Sequence, residues 1–524
     1  MADGSMDDLG RTGDDPLGLT GRTVVVAGAG TAGLSAARYL LTRDVRLVLA
    51  DDRFAAADAD ADARRAAVDA VAGAAELVEQ GARAVSVGDL LADDGWASDT
   101  AVVIVSPGFA PTHPLVVRAE EEGVPVWGEV ELAWRVDAAG LLGEPRTWLV
   151  VTGTNGKTTT TSMLAEIVER SGRSGAACGN IGLPVLDAMR ATPRVDVLCA
   201  ELSSFQLHWA PSVRPAAGVV LNIADDHLDW HGGFEAYAEA KTGALRGDIG
   251  VVGLDDAVAS TLSTAGRRVG FTLEPPEDGQ LGVEDGRLVD RAFGAGELVE
   301  ADAIRPAGPS GVADALAASA LALAIGVSRD AVGSALRDFR PGAHRGEVVA
   351  ERDGIVFVDD SKATNPHAAQ AAVSAFGRVV LIAGGLLKGA SMDDMLTAVG
   401  DRLAGVVAIG RDRDLVVESI ARHAPEVPTV TVFTGDDGTV NVHRPGHADP
   451  VPFSIDSSGV DTAVAVMERA VSEAWELAVA SDPAPDAVLL APAAASLDMF
   501  AGYSRRGDAF ADAARRIAGT SARR

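Results

Sequence analysis

The stretch Gly153-Thr154-Asn155-Gly156-Lys157-Thr158-Thr159 carries the residue types that bind an anion. An apolar run over 148–151 precedes it and reads as a buried strand, and a helical pattern follows over 157–169. A strand, a tight glycine turn and a helix opening on Lys-Thr make a phosphate cradle. Backbone N–H groups at the helix start face the anion, and the helix dipole favours negative charge there. Lys157 adds a point charge for β- and γ-phosphates, and the Thr158 hydroxyl is suited to Mg²⁺. The full phosphate-loop spacing calls for glycine at 151, where Val151 stands, so the motif is a shortened relative of that loop. The bland alternative is an ordinary strand-to-helix turn, in which Gly, Lys and Thr seldom combine this way.

Other residues sit where strands should end. The apolar run 195–200 leads into Glu201, a carboxylate placed to hold Mg²⁺ directly or through water. The run 217–222 leads to His227, expected on the same edge of the same sheet. Lys241, taken alone, reads as one lysine on a solvated helix face. Asn180 follows a short predicted strand, where an amide can meet a substrate. Near the amino terminus, the strand 23–27, Gly28-Ala29-Gly30-Thr31-Ala32-Gly33 and the strand 45–50 ending at Asp51-Asp52 form a dinucleotide fingerprint. Nicotinamide, flavin and sugar nucleotides all use that pattern. A third strand, 101–105, ends at Ser106-Pro107-Gly108, another anion-friendly turn. Farther on, Arg345 lies at a predicted domain boundary, placed to clamp a triphosphate on closure. Asp360-Ser361-Lys362-Ala363-Thr364-Asn365 and Lys388 end the first two strands of a last domain. Two lysines, Lys362 and Lys388, on one sheet edge suit a dicarboxylate or acyl phosphate.

The elements needed to position these residues define an α/β chain of three domains. A Rossmann-like domain is expected over 21–143, a phosphate-loop ATPase domain with a parallel sheet over 144–341, and a second Rossmann-like domain over 342–524. Residues 1–20 read as a disordered acidic extension, 273–310 as weakly periodic, and 435–458 as an irregular surface insertion. The length of 524 residues fits about three domains. A net charge of −30 argues against nucleic acid, which needs a basic face. Two cysteines outside any CxxC pair, Cys178 and Cys199, support neither a disulfide framework nor a zinc site and fit a reducing cytoplasm. The opening residues are no signal peptide, and the alanine-rich run 315–327 is too short to span a membrane.

Together these residues resemble the Mur ligase family across nearly the whole chain from about Gly21. Gly153-Thr154-Asn155-Gly156-Lys157-Thr158 is similar to the family's ATP loop. Asp360-Ser361-Lys362-Ala363-Thr364-Asn365 and Ser496-Leu497-Asp498-Met499-Phe500 resemble its D-glutamate-adding branch. The resemblance implies ATP-driven amide formation between UDP-N-acetylmuramoyl-L-alanine and D-glutamate through an acyl phosphate, a step of peptidoglycan precursor synthesis. It places Gly153 to Thr159, Arg345 and Asp360 at ATP, and Thr158, Glu201 and His227 at two magnesium sites. Lys241 aligns with a lysine that the family carbamylates into a metal ligand. The resemblance puts Thr31, Asp51, Asp52, Ser106 and Asn180 against the UDP-sugar. Thr364, Lys388, Ser496, Leu497 and Tyr503 fall in the D-glutamate pocket, with Lys362 near the chemistry. The first fingerprint then holds a UDP group, not NAD. A monomer is expected, with neither nucleic-acid nor membrane partners. One departure stands out: Ser310, Gly311 and Asp314 replace the family's nucleotide-side His-Asn…Asn pattern. The competing readings are a related ligase with another amino acid or a folate, a non-catalytic UDP-sugar-binding relative, and a nicotinamide oxidoreductase. The last leaves Lys157 and Glu201 without roles.

Overall fold

Thr23–Ala27 (β1) is a near-continuous apolar run, as a strand buried on both faces requires. It lies mid-sheet, paired in parallel with Arg46–Ala50 (β2) on one side and Thr100–Val105 (β4) on the other. Arg83–Val85 (β3) and Val126–Gly128 (β5) complete the order β3-β2-β1-β4-β5. The helix Thr31–Leu40 then packs back on β1. A Cβ at Gly33 would stand 1.9 Å from the Gly28 carbonyl oxygen, so only glycine permits that approach. The computed structural model describes residues 15–435, 438–444, 451–453 and 462–519.

The second sheet is built on Thr147–Thr152 (β6), Gly175–Gly179 (β7), Val197–Glu201 (β8) and Ala217–Val220 (β9). It continues through Ile249–Gly253 (β10), Arg267–Phe271 (β11), Gln280–Glu284 (β12), Arg287–Asp290 (β13) and Gly296–Glu300 (β14). Its order is β14-β13-β12-β11-β10-β9-β6-β8-β7. Because β6 runs parallel to both β8 and β9, the loops after all three leave from one edge, where ligands bind in open α/β sheets. The third sheet joins Glu347–Arg352 (β15), Ile355–Asp359 (β16), Val379–Gly384 (β17), Leu403–Ile409 (β18), Thr429–Thr434 (β19), Val440–His443 (β20), Val451–Phe453 (β21) and Ala487–Leu490 (β22). Their order is β15-β16-β22-β17-β18-β19-β20-β21. The inner strands are parallel; β15, β20 and β21 are antiparallel additions at the edges.

Two compact units divide the chain, one taking most residues up to Glu284 and the other most from Leu336. In the first, one apolar core runs from Val26 and Ile104 through Val136 to Val150, Leu198 and Leu202. A buried ion pair reinforces the passage between its two sheets. Arg146 Nη1 donates to Asp137 Oδ1 at 2.7 Å, the Trp148 indole N–H donates to Asp137 Oδ2 at 2.9 Å, and Arg146 also donates to the carbonyls of Val195 and Met189.

The sheet strands fall close to the apolar runs. Residues 273–310, weakly periodic in sequence, hold β12, β13 and β14, each carrying only one or two buried apolar side chains such as Leu281, Leu288 and Val299. With so few apolar side chains among polar ones, these strands show no countable period. Two expectations are corrected. In 435–458 the described part is two strands, with Val440 and Val442 buried; residues 436–437, 445–450 and 454–458 lie outside the described residues. Of the amino-terminal extension, residues 15–20 are folded. Leu19 is only 4% exposed, and the Thr20 N–H donates to Asp15 Oδ2 at 2.7 Å; residues 1–14 lie outside the described residues. The last helix spans Tyr503–Ile517 and so includes Tyr503.

Candidate active site

The phosphate loop leaves β6 and enters the helix Lys157–Arg170 through Gly156, whose φ of +83° suits glycine. Asn222, just beyond β9, holds the loop in three places. Its carbonyl accepts the Thr154 N–H (3.0 Å), its Oδ1 accepts the Asn155 N–H (2.8 Å) and its Nδ2 donates to the Asn155 carbonyl (3.2 Å). The Thr154 hydroxyl shares a 2.8 Å hydrogen bond with the Tyr237 hydroxyl and accepts the Ala224 N–H at 3.0 Å. Lys157 folds its amine over the turn, donating to the carbonyls of Gly153 (2.9 Å) and Thr154 (2.8 Å). Thr158 and Thr159 occupy the first helical turn.

Lys241 is not on a solvated helix face. It is 2% exposed, its Nζ donates to the Gly153 carbonyl at 2.8 Å, and it lies 4.6 Å from the centre of the Tyr237 ring. Burial first, and the nearby Lys157 charge second, hold its pKa well below the ordinary lysine value. The helix Phe234–Thr242 places Tyr237 one turn before Lys241, so the i, i+4 spacing could have marked them as a pair. Tyr237 and Asn222 were both missed as site residues, since their contacts with the phosphate loop are long-range.

Glu201, the last residue of β8, is 1% exposed. Asn180 Nδ2 donates to its Oε1 at 2.8 Å, while Oε2 is buried without a hydrogen-bond partner. A buried carboxylate oxygen left unpaired on the edge that carries the phosphate loop fits a hard divalent cation. His227 does reach this edge, on the loop after β9, with φ +53°, its side chain about half exposed and 4.8 Å from the Phe205 ring. Among the described residues no three His, Cys, Asp or Glu side chains form a ready metal cage. A cation here would depend on Glu201, the Thr158 hydroxyl and a ligand or modified residue.

Around the first sheet, Asp51 does not stand free for a ligand. Arg53 grips it with both nitrogens, at 2.7 and 2.8 Å, and the Ala29 N–H donates to Oδ2 at 2.6 Å. The guanidinium is the leading cause that pulls the Asp51 carboxyl down to about 2, against its desolvation. Asp51 therefore braces the glycine turn from within, whereas Asp52 and Thr31 are exposed beside it. The Ser106 hydroxyl donates to the Gly28 carbonyl at 3.0 Å, joining the two turns.

In the second unit, the loops after β16, β17 and β22 bring together the residues expected at an amino-acid pocket. The Ser361 N–H donates to Asp359 Oδ1 at 3.0 Å, and the Ser361 hydroxyl donates to the Tyr503 carbonyl at 2.8 Å. Lys362 Nζ sits 4.1 Å from the centre of the Tyr503 ring, and the Thr364 N–H donates to the Lys362 carbonyl at 2.8 Å. Reciprocal hydrogen bonds between Leu386 and Ala495, both 2.9 Å, tie the loop of Lys388 to that of Ser496. Lys388 is exposed, Ser496 buried, and Leu497 66% exposed. Sequence reasoning missed Arg506. Only 1% exposed, it donates to the Ser361 hydroxyl (3.0 Å) and to the carbonyls of Ser361 (2.9 Å) and Ala494 (3.0 Å). Burial and the adjacent Asp359 push Asp360 up to about 7, with the Arg345 charge acting in the opposite direction. Ser310, Gly311 and Asp314 lie in the first turns of the helix Pro309–Ala324.

A phosphate cradle with buried lysine and glutamate partners, set on parallel sheets, defines a nucleotide-dependent class, and comparison with known proteins makes it specific. Three family descriptions match in order: "Mur ligase MurD-like, N-terminal domain" over residues 22–128, "Mur ligase middle domain" over 151–272 and "Mur ligase, glutamate ligase domain" over 344–494. The chain belongs to the Mur ligase family. Within it, the chain is 54% identical over 506 residues to the UDP-N-acetylmuramoylalanine–D-glutamate ligase of Rhodococcus jostii, covering 95% of this chain and 96% of that one. Its similarity to the ligase of the same name from Mycolicibacterium smegmatis is 51% over 515 residues, 97% and 99% of the two chains. Among solved structures it resembles the UDP-N-acetylmuramate-alanine ligase MurC of Thermotoga maritima, with a TM-score of 0.50, 17% identity and coverage of 95% and 100%. It also resembles MurF of Acinetobacter baumannii, with a TM-score of 0.51, 17% identity and coverage of 75% and 82%. At such identities these two likenesses speak for the fold alone. No helix among the described residues is long and apolar enough to cross a membrane.

Proposed function

We infer that this chain joins D-glutamate to UDP-N-acetylmuramoyl-L-alanine at the expense of ATP, a step of peptidoglycan precursor synthesis. The carrying observation is its 54% identity, across 95% of the chain, to a ligase of that name. The chain's own chemistry agrees: a phosphate loop with Lys157, a buried half-partnered Glu201 and a buried Lys241 occupy one edge of the second sheet. The substrate carboxylate takes the γ-phosphoryl group of ATP, giving an acyl phosphate and ADP. The amine of D-glutamate then attacks the acyl carbon and phosphate leaves. Catalysis is positioning and charge stabilisation.

In this reading, Gly153 to Thr159 cradle the phosphates and Lys157 turns its amine from the loop carbonyls toward them. Thr158, Glu201 and His227 would hold magnesium, which when bound neutralises phosphate charge. Lys241, whose lowered pKa favours the neutral amine that carbamylation needs, would present a carbamate there in place of a cation. Arg345 and Asp360 belong to the nucleotide. Thr31, Asp52, Ser106 and Asn180 face the UDP-sugar, with Asp51 acting through the turn it braces. Lys388, Thr364, Ser496, Leu497 and Tyr503 take the two carboxylates of D-glutamate, and Lys362 stands near the transfer. We assign residues 21–143, 144–341 and 342–524 to the UDP-sugar, ATP and amino-acid domains, and take the enzyme as a cytoplasmic monomer. The test is phosphate release from ATP with UDP-N-acetylmuramoyl-L-alanine, with and without D-glutamate. Release that requires both substrates supports the assignment; release with a different amino acid, or none, refutes it.

A further inference from the structure

The turn Ser106-Pro107-Gly108-Phe109, after β4, is held by two tryptophans that belong to the second sheet's edge. The Trp209 indole N–H donates to the Phe109 carbonyl at 3.1 Å and the Trp230 indole N–H to the Gly108 carbonyl at 3.3 Å. Trp209 is anchored in turn: its carbonyl accepts the Gly128 N–H at 2.8 Å, and a Cβ at Gly128 would meet its side chain at 2.9 Å. Trp230 is different. It lies in the single-turn helix Leu228–His231, directly after His227, and is only half-buried.

Ring contacts carry the connection onward. Phe205, four residues beyond Glu201, packs its ring 4.5 Å from Trp230, 4.8 Å from His227 and 5.5 Å from His231, centre to centre. His231 shares a 2.9 Å hydrogen bond with the Ser204 hydroxyl, and its ring lies 5.4 Å from that of Tyr237. Tyr237 holds the Thr154 hydroxyl of the phosphate loop. Burial, with the neighbouring His208 second, holds His231 down to about 4, so the His231 ring is neutral at pH 7. A continuous path therefore joins the Gly108 turn to the phosphate loop, and His227 sits against its middle. The His227 backbone is left-handed, its carbonyl accepts the Trp230 N–H at 3.2 Å, and its side chain has Asp226, at 3.5 Å, as a charged neighbour.

We propose that Trp230 is a positioning residue for phosphoryl transfer, tethering the Gly108 turn to His227 so that a sugar nucleotide bound at that turn and ATP bound at the phosphate loop strengthen each other's binding. The proposal rests on the ligase reading above. It assigns Trp230 no contact with either ligand. Its effect passes through His227 and Phe205, which the indole locks from one side while its N–H reads the Gly108 carbonyl. Binding linkage is reciprocal, so either ligand can serve as the probe.

The experiment measures the Kd of a non-hydrolysable ATP analogue with Mg²⁺ by calorimetry, with and without saturating UDP-N-acetylmuramoyl-L-alanine. It uses the full chain and the variants Trp230→Phe and Trp230→Leu. In the unaltered chain the sugar nucleotide is expected to tighten the analogue by roughly 5-fold or more, in the range of ordinary coupled sites. Trp230→Leu, lacking both ring and N–H, brings that factor close to one, and kcat falls while the KM for D-glutamate holds. Trp230→Phe keeps the ring, loses only the N–H, and retains an intermediate factor; being the gentler change, it guards against a Leu variant that fails to fold. An undiminished factor in both variants, or no coupling in an unaltered chain that ligates normally, overturns the tether and leaves the ligase reading intact. An unaltered chain that binds neither ligand overturns the ligase reading, and the tether with it.

Discussion

Replacing Lys241 separates a catalytic lysine from a structural one. Its amine is buried and held by one carbonyl, that of Gly153, under a second positive charge from Lys157. Such an amine contributes little to folding, because desolvation offsets its single hydrogen bond. Lys241→Met is therefore expected not to lower the thermal midpoint at neutral pH. Activity should respond far more strongly. Loss of one preorganised electrostatic partner costs roughly a hundred- to a thousand-fold in kcat, about 3–4 kcal/mol. The pH dependence has a definite sign. The folded pKa lies below the unfolded one, so between the two the unfolded chain binds more protons, and stability rises with pH across that window. Thermal midpoints of the unaltered chain, set against those of Lys241→Met, should climb as pH increases toward the ordinary lysine value, and the variant lacks this component. Ligation assays complete the test. Lys241→Ala should regain part of its activity from added short carboxylic acids, which fill the place of a carbamate. Lys241→Arg should stay inactive because guanidinium remains charged. Normal turnover by Lys241→Arg refutes the reasoning, as does a collapse of the thermal midpoint in Lys241→Met that matches its loss of activity.

Lys157→Ala should abolish ligation with the circular-dichroism spectrum unaltered, since its amine donates to carbonyls of the loop itself at a helix start; near-normal turnover contradicts the phosphate assignment. Lys388→Ala should raise the KM for D-glutamate by roughly 30-fold, about 2 kcal/mol, the lower end for a charge-assisted partner because this lysine is exposed. An unchanged KM removes it from the pocket. Asp137→Ala strands the buried Arg146 guanidinium and the Trp148 N–H, and should lower unfolding stability by roughly 3–5 kcal/mol in urea titration; a loss within about 0.5 kcal/mol, as at ordinary surface sites, shows the pair to be dispensable.

Much of the site is legible in the chain because its signals are local. The phosphate loop is seven consecutive residues between an apolar run and a helix, and φ +83° at Gly156 is a demand that glycine alone meets easily. β1, β6, β8 and β17 announce themselves as unbroken apolar stretches, since a parallel strand buried on both faces has no polar side to show. The ends of β8, β7 and β16 then place Glu201, Asn180 and Lys362 on ligand-binding edges without any knowledge of packing. What the chain alone leaves open is decided by contacts distant in sequence. Lys241 reads as solvated until Tyr237 and the Gly153 carbonyl, 88 residues away, enclose its amine. Asp51 reads as a ligand contact until Arg53 and the Ala29 N–H take both its oxygens. Arg506 gains its place only because the last helix lies against Ser361, 145 residues earlier. The strands β12 to β14 carry too few apolar side chains to show a period, and pairing with neighbours already in the sheet decides their state. Local propensity and motif spacing are written in neighbouring residues. Burial, which turns a surface lysine into a perturbed amine and a free carboxylate into a brace, depends on which remote segments meet, and only the tertiary structure decides that.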